Sequence, residues 1–180
     1  MTARDMILER VRERSPRGPL SEPQLLSPTV YADPLAQFAQ VLASIGGRCV
    51  SVLDMAAVQR DLVALPAFQS SVLRYSAFPE VGDGNVHPDQ VSDPHELADV
   101  DFALLPGELA VAENGAVWVS TDSLVERTLY FLTQHLSLFV PNGRVVSHMH
   151  AAYEQLDVTR CRFGTFLAGP SKTADIEQAL

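Results

Sequence analysis

Helical and strand-like patterns alternate over residues 33–105, and this alternation constrains the fold most strongly. Asp33-Pro34 is typical of a helix start, because aspartate caps free backbone amides and proline suits the first helical position. Asp54 is expected to cap a second helix over residues 55–65. Short strands are predicted over residues 49–53, 72–75 and 100–105. This alternation favours a largely parallel sheet covered by helices.

A β-hairpin is predicted after these elements. Two apolar runs flank its turn, residues 109–113 and 116–120. The turn is Asn114-Gly115, a dipeptide typical of two-residue hairpin loops, and it would pair Val111 with Trp118. In that register Glu113 shares an apolar face with Val111 and Trp118. Since apolar surroundings raise the pKa of a carboxyl group, Glu113 is a candidate acid, base or nucleophile; the alternative is a solvated glutamate at a hairpin tip.

The rest of the chain continues the mixed pattern. Helices are predicted at 3–14, 122–134, 149–157 and from Thr173 onward. Strands are predicted at 136–140, 144–147 and 163–168. Residues 15–30 contain four prolines and form an expected extended connector. We therefore divide the chain into an N-terminal helix and connector, residues 1–32, and one α/β domain, residues 33–180.

Composition excludes several classes of function. The net charge of −9 argues against a nucleic-acid-binding surface, which needs a basic face for phosphates. No apolar run approaches the roughly 20 residues of a membrane span, and the charged N-terminus does not resemble a signal peptide. Cytoplasmic localisation is therefore expected. The two cysteines lack a CxxC partner, so this chain alone is not expected to bind an iron–sulfur or zinc cluster.

The segment from Gly169 to Glu177 is the first candidate site. It contains the only lysine of the chain, Lys172, between an apolar run and a predicted helix. Free amides, hydroxyls and one amine at a helix start suit an anionic or carboxylate ligand. The residues proposed to bind it are Gly169, Pro170, Ser171, Lys172, Thr173, Asp175 and Glu177. The segment lacks the glycine that a Walker loop places before its lysine, and the alternative is an ordinary capped helix.

His148 and His150 form a second, weaker candidate site. On a strand the two side chains would point to the same side and could bind zinc or iron with a third ligand. No spacing in the sequence specifies that ligand. If a helix begins at Met149 the two histidines diverge, which leaves a helix-start histidine and a hydrogen-bonded one. We therefore assign no metal.

Several blocks in the later half, covering roughly residues 100–180, resemble the LUD domain of lactate-utilisation protein C. They are Leu105 to Val119, Glu126 to Leu136, His148 to Tyr153 and Phe163 to Glu177, in that order. The resemblance implies a three-layer α/β fold like that of the sugar-phosphate isomerase and CoA-transferase superfamily, with a mostly parallel open sheet, a hairpin and helices on both faces. It also implies a role in bacterial oxidation of L-lactate to pyruvate. Iron–sulfur clusters are then expected on partner subunits, with no cofactor bound by this chain.

Within that superfamily, CoA transferases use a Glu-Asn-Gly triplet whose glutamate forms an acyl-CoA thioester, and Glu113-Asn114-Gly115 looks like that triplet. They also use a glycine-rich loop after a strand, for which this chain offers only Gly82-Asp83-Gly84 in a polar region. Family members usually continue into a further strand, which the resemblance implies is missing after Leu180. No complete catalytic constellation is visible, so the sequence leaves enzymatic activity undecided.

Three functions follow from these observations. The first is an accessory or regulatory component of lactate utilisation that binds a small carboxylate or phosphate metabolite. The second is an acyl- or CoA-transferring enzyme with Glu113 as nucleophile. The third is a structural subunit that docks the iron–sulfur proteins. The first two place Glu113 and Lys172 in a common site at the strand ends, where open α/β sheets usually bind ligands.

Overall fold

The structure is a computed structural model, and it describes residues 2–14, 27–81, 84–120, 126–159 and 161–170. The α-helices are α1 (Ala3–Arg14), α2 (Pro34–Ser44), α3 (Met55–Ala64), α4 (Pro66–Ser70), α5 (Leu129–Leu132) and α6 (Met149–Gln155). The strands are β1 (Arg74–Ser76), β2 (Phe102–Pro106), β3 (Leu109–Val111), β4 (Ala116–Ser120), β5 (His135–Phe139), β6 (Val145–Val146) and β7 (Gly164–Leu167). Two 3₁₀ helices, Pro88–Gln90 and Pro94–Asp99, lie between β1 and β2.

The strands form two hydrogen-bonded ladders. One has the order β1-β2-β5 and is entirely parallel. The other has the order β6-β3-β4-β7, in which β6 and β3 are parallel while the β3-β4 and β4-β7 pairs are antiparallel. Parallel pairs therefore predominate, and the antiparallel hairpin is added at one end, as the sequence predicted.

Gly107 joins the two ladders in one bent sheet. Its amide donates to Phe139 O and extends the β2-β5 ladder, whereas the next amide, that of Glu108, donates to Trp118 O in the β3-β4 ladder. A Cβ atom at Gly107 would lie 2.6 Å from Val117 Cγ1, so a side chain there would collide with β4. Glycine lets the chain pass from one ladder to the other at this close contact.

The side chains of β2 alternate between two cores. Ala103 and Leu105 belong to the larger core, which also contains Phe38 of α2 and Leu129 of α5. The side chains of Phe102 and Leu104 point the other way, into a second core with buried residues of α3 and α4: Val58, Leu62 and Phe68. Successive residues of a strand point to opposite faces, so helices cover both faces of this sheet. The predicted three-layer α/β arrangement is confirmed.

A third core lies beneath α6. It is built on the opposite face of the hairpin and contains Leu109, Val111, Trp118, Val146 and Ala152. Gly164 makes this packing possible, because a Cβ atom there would lie 2.2 Å from Trp118 Cζ2. The indole ring therefore lies directly over the β7 backbone, and Phe166 packs on it with a ring-centroid distance of 4.9 Å.

Both predicted aspartate caps are confirmed. Asp33 Oδ1 accepts from Ala36 N at 3.0 Å, and Asp54 Oδ1 accepts from Ala57 N at 2.7 Å. The N-terminal helix is also confirmed, since α1 spans Ala3–Arg14, although none of its residues is buried. In the part of the chain that the structure describes, no helix has the length and apolar character needed to cross a membrane.

Two element predictions were wrong. Residues 49–53 do not form a strand: they pair with no strand in the described chain, and Leu53 is fully exposed. The edge of the parallel ladder is formed by β1 instead. Of the helix predicted at 122–134, residues 121–125 lie outside the described residues, and only Leu129–Leu132 is an α-helix. The chain just before it forms a turn, in which Glu126 Oε1 accepts from the amide and hydroxyl of Thr128.

Candidate functional site

The hairpin turn is longer than predicted. Leu109 pairs with Trp118 and Val111 with Ala116, so four residues, 112–115, connect the strands. Gly115 has a φ of +70°, but Asn114 does not have a positive φ, which excludes the expected type I′ turn. The turn is closed instead by Gly115 N donating to Val111 O at 3.0 Å and by Asn114 Oδ1 accepting from Ala116 N at 3.1 Å.

Pairing with β6 explains the longer turn. The amide of Ala112 donates to Val146 O at 2.8 Å, and that of Glu113 donates to Ser147 O at 3.1 Å. Both amides therefore extend the parallel pairing of β3 with β6 instead of continuing the hairpin with β4. The two-residue turn prediction failed because it considered only the residues of the hairpin.

Glu113 is exposed at this turn, so the predicted apolar environment of its carboxylate is wrong. Its Oε1 accepts a hydrogen bond of 2.7 Å from Met149 N, the first amide of α6. A carboxylate is favourable at this place because the first amides of a helix lack partners within the helix. The geometry leaves the carboxylate accessible to solvent while it stabilises the start of α6.

His148 caps the same helix. Its Nδ1 accepts from Ala151 N at 3.1 Å, and the α6 helix begins at Met149. That hydrogen bond requires an unprotonated Nδ1 and so occupies one of the two metal-ligating atoms of the ring. His150 is exposed, with its ring centroid 6.0 Å from that of His148. Within the described residues, no three His, Cys, Asp or Glu side chains are arranged to hold a metal ion.

The two predicted ligand-binding segments meet at Ile45. A Cβ atom at Gly115 would lie 3.2 Å from Ile45 Cδ1, and one at Gly169 would lie 3.0 Å from the same atom. Gly169 has a φ of +68°. The Glu-Asn-Gly turn and the start of the Gly169 segment therefore pack on one residue at the C-terminal end of α2. This relationship joins positions that are more than 50 residues apart in the sequence.

Pro170 extends the same contact. Its Cγ would lie 3.4 Å from a Cβ atom at Gly46, which has a φ of +95° just after α2. Gly169 and Pro170 are exposed. The other residues proposed for this site, Ser171, Lys172, Thr173, Asp175 and Glu177, lie outside the described residues, as does the helix predicted from Thr173. The role of Ile45 was not predicted; the Gly46-Gly47 helix stop was its only signal in the sequence.

The glycine-rich segment considered as an oxyanion loop lies beside β1. Gly82 and Asp83 are outside the described residues. A Cβ atom at Gly84 would lie 3.0 Å from Ser76 N, so this glycine packs closely on the last residue of β1. Only a glycine fits this close approach to the backbone.

Glu108 and Ser120 form a polar pair that sequence analysis missed. The buried Ser120 hydroxyl donates to Glu108 Oε1, while Arg144 Nε donates to Glu108 O at 3.1 Å. The pair lies where the sheet bends, next to Gly107. A charged residue between two buried strand runs was the available signal. Among the thiols, burial raises the pKa of Cys49, which makes it a poor nucleophile at neutral pH.

Comparison with known proteins gives three matches. The sequence profile of the LUD domain matches residues 82–180. Lactate utilization protein C of Geobacillus thermodenitrificans (strain NG80-2) is 31% identical over 154 residues, which cover 78% of this chain and 59% of the relative. The chain therefore spans about three-fifths of the length of this curated relative. A crystal structure of a DUF162 family protein from Deinococcus radiodurans has a TM-score of 0.63 and 17% identity, and the match covers 78% of this chain and 90% of the other.

Proposed function

The chain belongs to the LUD domain family, and from that premise we propose that it is an accessory or regulatory component of bacterial L-lactate oxidation. The observation that supports this role is its sequence similarity to a lactate utilization protein C over most of its length. The fold of the chain matches that of a DUF162 family protein, which supports the architecture alone.

In this proposal the chain binds a small carboxylate or phosphate metabolite where the Glu113–Gly115 turn meets Gly169. Support comes from the packing of both glycines on Ile45 and from the exposed Glu113 carboxylate beside them along the chain. Lys172, three residues after Gly169, would contribute the ammonium group that pairs with the ligand anion. Glu113 would accept a hydrogen bond from a ligand hydroxyl, as a 2-hydroxy acid provides.

Thermal unfolding with L-lactate, pyruvate, inorganic phosphate and CoA tests this binding. A ligand that binds only the folded state raises stability by about 2.7 kcal/mol at one hundred times its dissociation constant. Lys172→Met, which removes the charge but keeps a long side chain, should abolish the shift. Arg60→Met removes an exposed cation elsewhere, on α3, and should leave the shift unchanged. No shift with any of the four compounds would reject the ligand site and favour the docking role.

The cellular role is tested separately. In a bacterium whose own lactate utilization protein C gene is deleted, expression of this chain should restore growth on L-lactate as sole carbon source. Co-purification from such cells should recover iron–sulfur subunits with the chain. If these partners do not co-purify and growth is not restored, the assignment to lactate oxidation is wrong.

A second candidate function is acyl transfer by Glu113. The accessible carboxylate in a Glu-Asn-Gly turn favours it. The carboxylate would attack the thioester carbonyl of an acyl-CoA, the carbon–sulfur bond would break, and CoA would leave as the thiolate. Hydroxylamine would trap the resulting acyl-Glu113 as a hydroxamate, detectable by peptide mass spectrometry. Glu113→Gln should give no adduct, and an absence of adduct in the unmutated protein would end this candidate.

A further inference from the structure

The outer edge of β5 presents backbone groups that bond to no other strand. The amide of His135 donates to Asp101 O at 2.8 Å, and Phe139 O accepts from Gly107 N at 2.8 Å. Because hydrogen-bonding direction alternates along a strand, the peptide groups of residues 135, 137 and 139 point to β2. Those of Leu136 and Leu138 therefore point away from it. In the described chain β5 is the last strand of its ladder on this side.

Both faces of β5 are packed, although its outer edge is open. Leu136 and Leu138 pack against the larger core, while Phe139 packs against the second core. Strands packed on both faces are typical of the interior of a parallel sheet. The environment of β5 is thus that of an interior strand with one neighbour missing.

The opposite edge of the same ladder is covered. The amide of Arg74 in β1 donates to Asn85 Oδ1 at 2.8 Å, and Asn85 N donates back to Arg74 O at 2.9 Å. Asn85 thereby satisfies outward-pointing groups of β1 without adding a strand. Proteins commonly protect sheet edges in this way, or with charged side chains. In β5, His-Leu-Ser-Leu-Phe, there is no Lys, Arg, Asp, Glu or Pro to prevent pairing.

We propose that β5 pairs with β5 of a second copy of this chain, antiparallel and across a two-fold axis at Ser137. The hydrogen-bonding pattern is self-complementary for this occupant. Leu136 exchanges two hydrogen bonds with Leu138 of the partner subunit, and Leu138 exchanges two with the partner's Leu136. The two Ser137 residues then form the central pair without backbone hydrogen bonds between them. The two three-stranded ladders become one continuous six-stranded sheet.

Charge supports a second copy. Each chain carries a net charge of −9, so two copies repel each other over most of their surfaces. The contact must therefore be made by a segment without negative charge. Strand β5 meets this requirement, because His135 is its only titratable side chain.

A Ser137→Cys variant tests the position of the axis directly. Antiparallel residues opposed without hydrogen bonds have Cα atoms about 4.5 Å apart, within the range that a disulfide spans. Mild oxidation should therefore convert this variant into a covalent dimer on a non-reducing gel. Wild type, which contains the same Cys49 and Cys161, and Ser44→Cys, at the exposed end of α2, should remain uncrosslinked. Equal crosslinking of Ser137→Cys and Ser44→Cys would overturn the proposal.

Sedimentation equilibrium tests the interface without a new covalent bond. Wild type should show a concentration-dependent mass approaching twice 19.6 kDa. Ser137→Glu places two carboxylates opposite each other and should weaken dimerisation at least tenfold, whereas the uncharged Ser137→Gln should change it much less. Unchanged thermal unfolding of the monomer would confirm that both variants fold. A monomeric wild type at 100 times the working concentration of the assay, or a dimer equally tight in both variants, would overturn the proposal.

Discussion

Glu113 Oε1 lies 2.7 Å from Met149 N and accepts its hydrogen. Residues 36 positions apart are thereby connected, and the hairpin turn is tied to the first turn of α6. The carboxylate that sequence analysis selected as a possible nucleophile therefore has a structural role as well. Variants at this position must distinguish the two.

Removing the Glu113 carboxylate should destabilise the protein moderately. Glu113→Ala leaves the Met149 amide without its acceptor, and loss of a comparable helix cap costs about 1 kcal/mol. Glu113→Gln keeps a carbonyl oxygen and should lose less. Urea unfolding gives both values. If Glu113→Ala unfolds at the same urea concentration as wild type, the hydrogen bond contributes nothing to stability.

His148 should be replaceable by another capping residue. Its Nδ1 accepts from Ala151 N, so His148→Ala removes the cap and should cost about 1 kcal/mol. His148→Asn restores a side-chain acceptor at the same position and should recover most of the loss. Thermal unfolding of both variants measures the difference. Equal loss in both would indicate that the ring acts through packing and not through its hydrogen bond.

A substitution at Gly169 should cost more than one at Gly143. Both glycines have positive φ, and alanine in this conformation costs roughly 1–2 kcal/mol. Nothing lies within 4 Å of a Cβ atom at Gly143, whereas one at Gly169 would lie 3.0 Å from Ile45 Cδ1. Gly143→Ala therefore measures the backbone strain alone, and the excess in Gly169→Ala measures the contact with Ile45. Equal unfolding free energies would mean that this contact relaxes freely.

Asp101 should contribute to acid sensitivity. Its carboxylate accepts from Leu73 N at 2.9 Å and Val72 N at 2.7 Å, and these hydrogen bonds hold its pKa below the usual range. A carboxyl group whose pKa is lower in the folded state stabilises the protein above its unfolded pKa of about 3.9. That stabilisation is lost as the pH falls through the folded-state pKa. Asp101→Asn should therefore show a shallower decline in unfolding free energy below about pH 4, measured in urea titrations from pH 5 to pH 2.

Local chemistry determined much of the fold in advance. The aspartates at residues 33 and 54 cap their helices as predicted, because a cap depends only on the next three residues. Strand runs near residues 102, 116, 135 and 164 were also evident, since their apolar side chains are consecutive. The resemblance to the LUD domain depended on blocks of sequence and was confirmed by the profile match.

Elements without local determinants were predicted less well. Residues 49–53 have the apolar character of a strand, but a strand requires a neighbour, and none of the described strands pairs with them. Arg48, just before this run, instead forms a bidentate ion pair with Asp61 of α3, at 2.7 Å and 2.9 Å. Such partners are distant in sequence, so periodicity does not reveal them.

The sequence by itself determined the helix caps, the order of most strands, the mixed α/β class and the family. Tertiary structure decided the hairpin register, the exposure of Glu113 and the meeting of Gly115 and Gly169 on Ile45. The physical reason is that each of these depends on competition between distant partners. The amides of Ala112 and Glu113 bond to β6 and its extension, and this choice sets both the length of the turn and the position of the carboxylate.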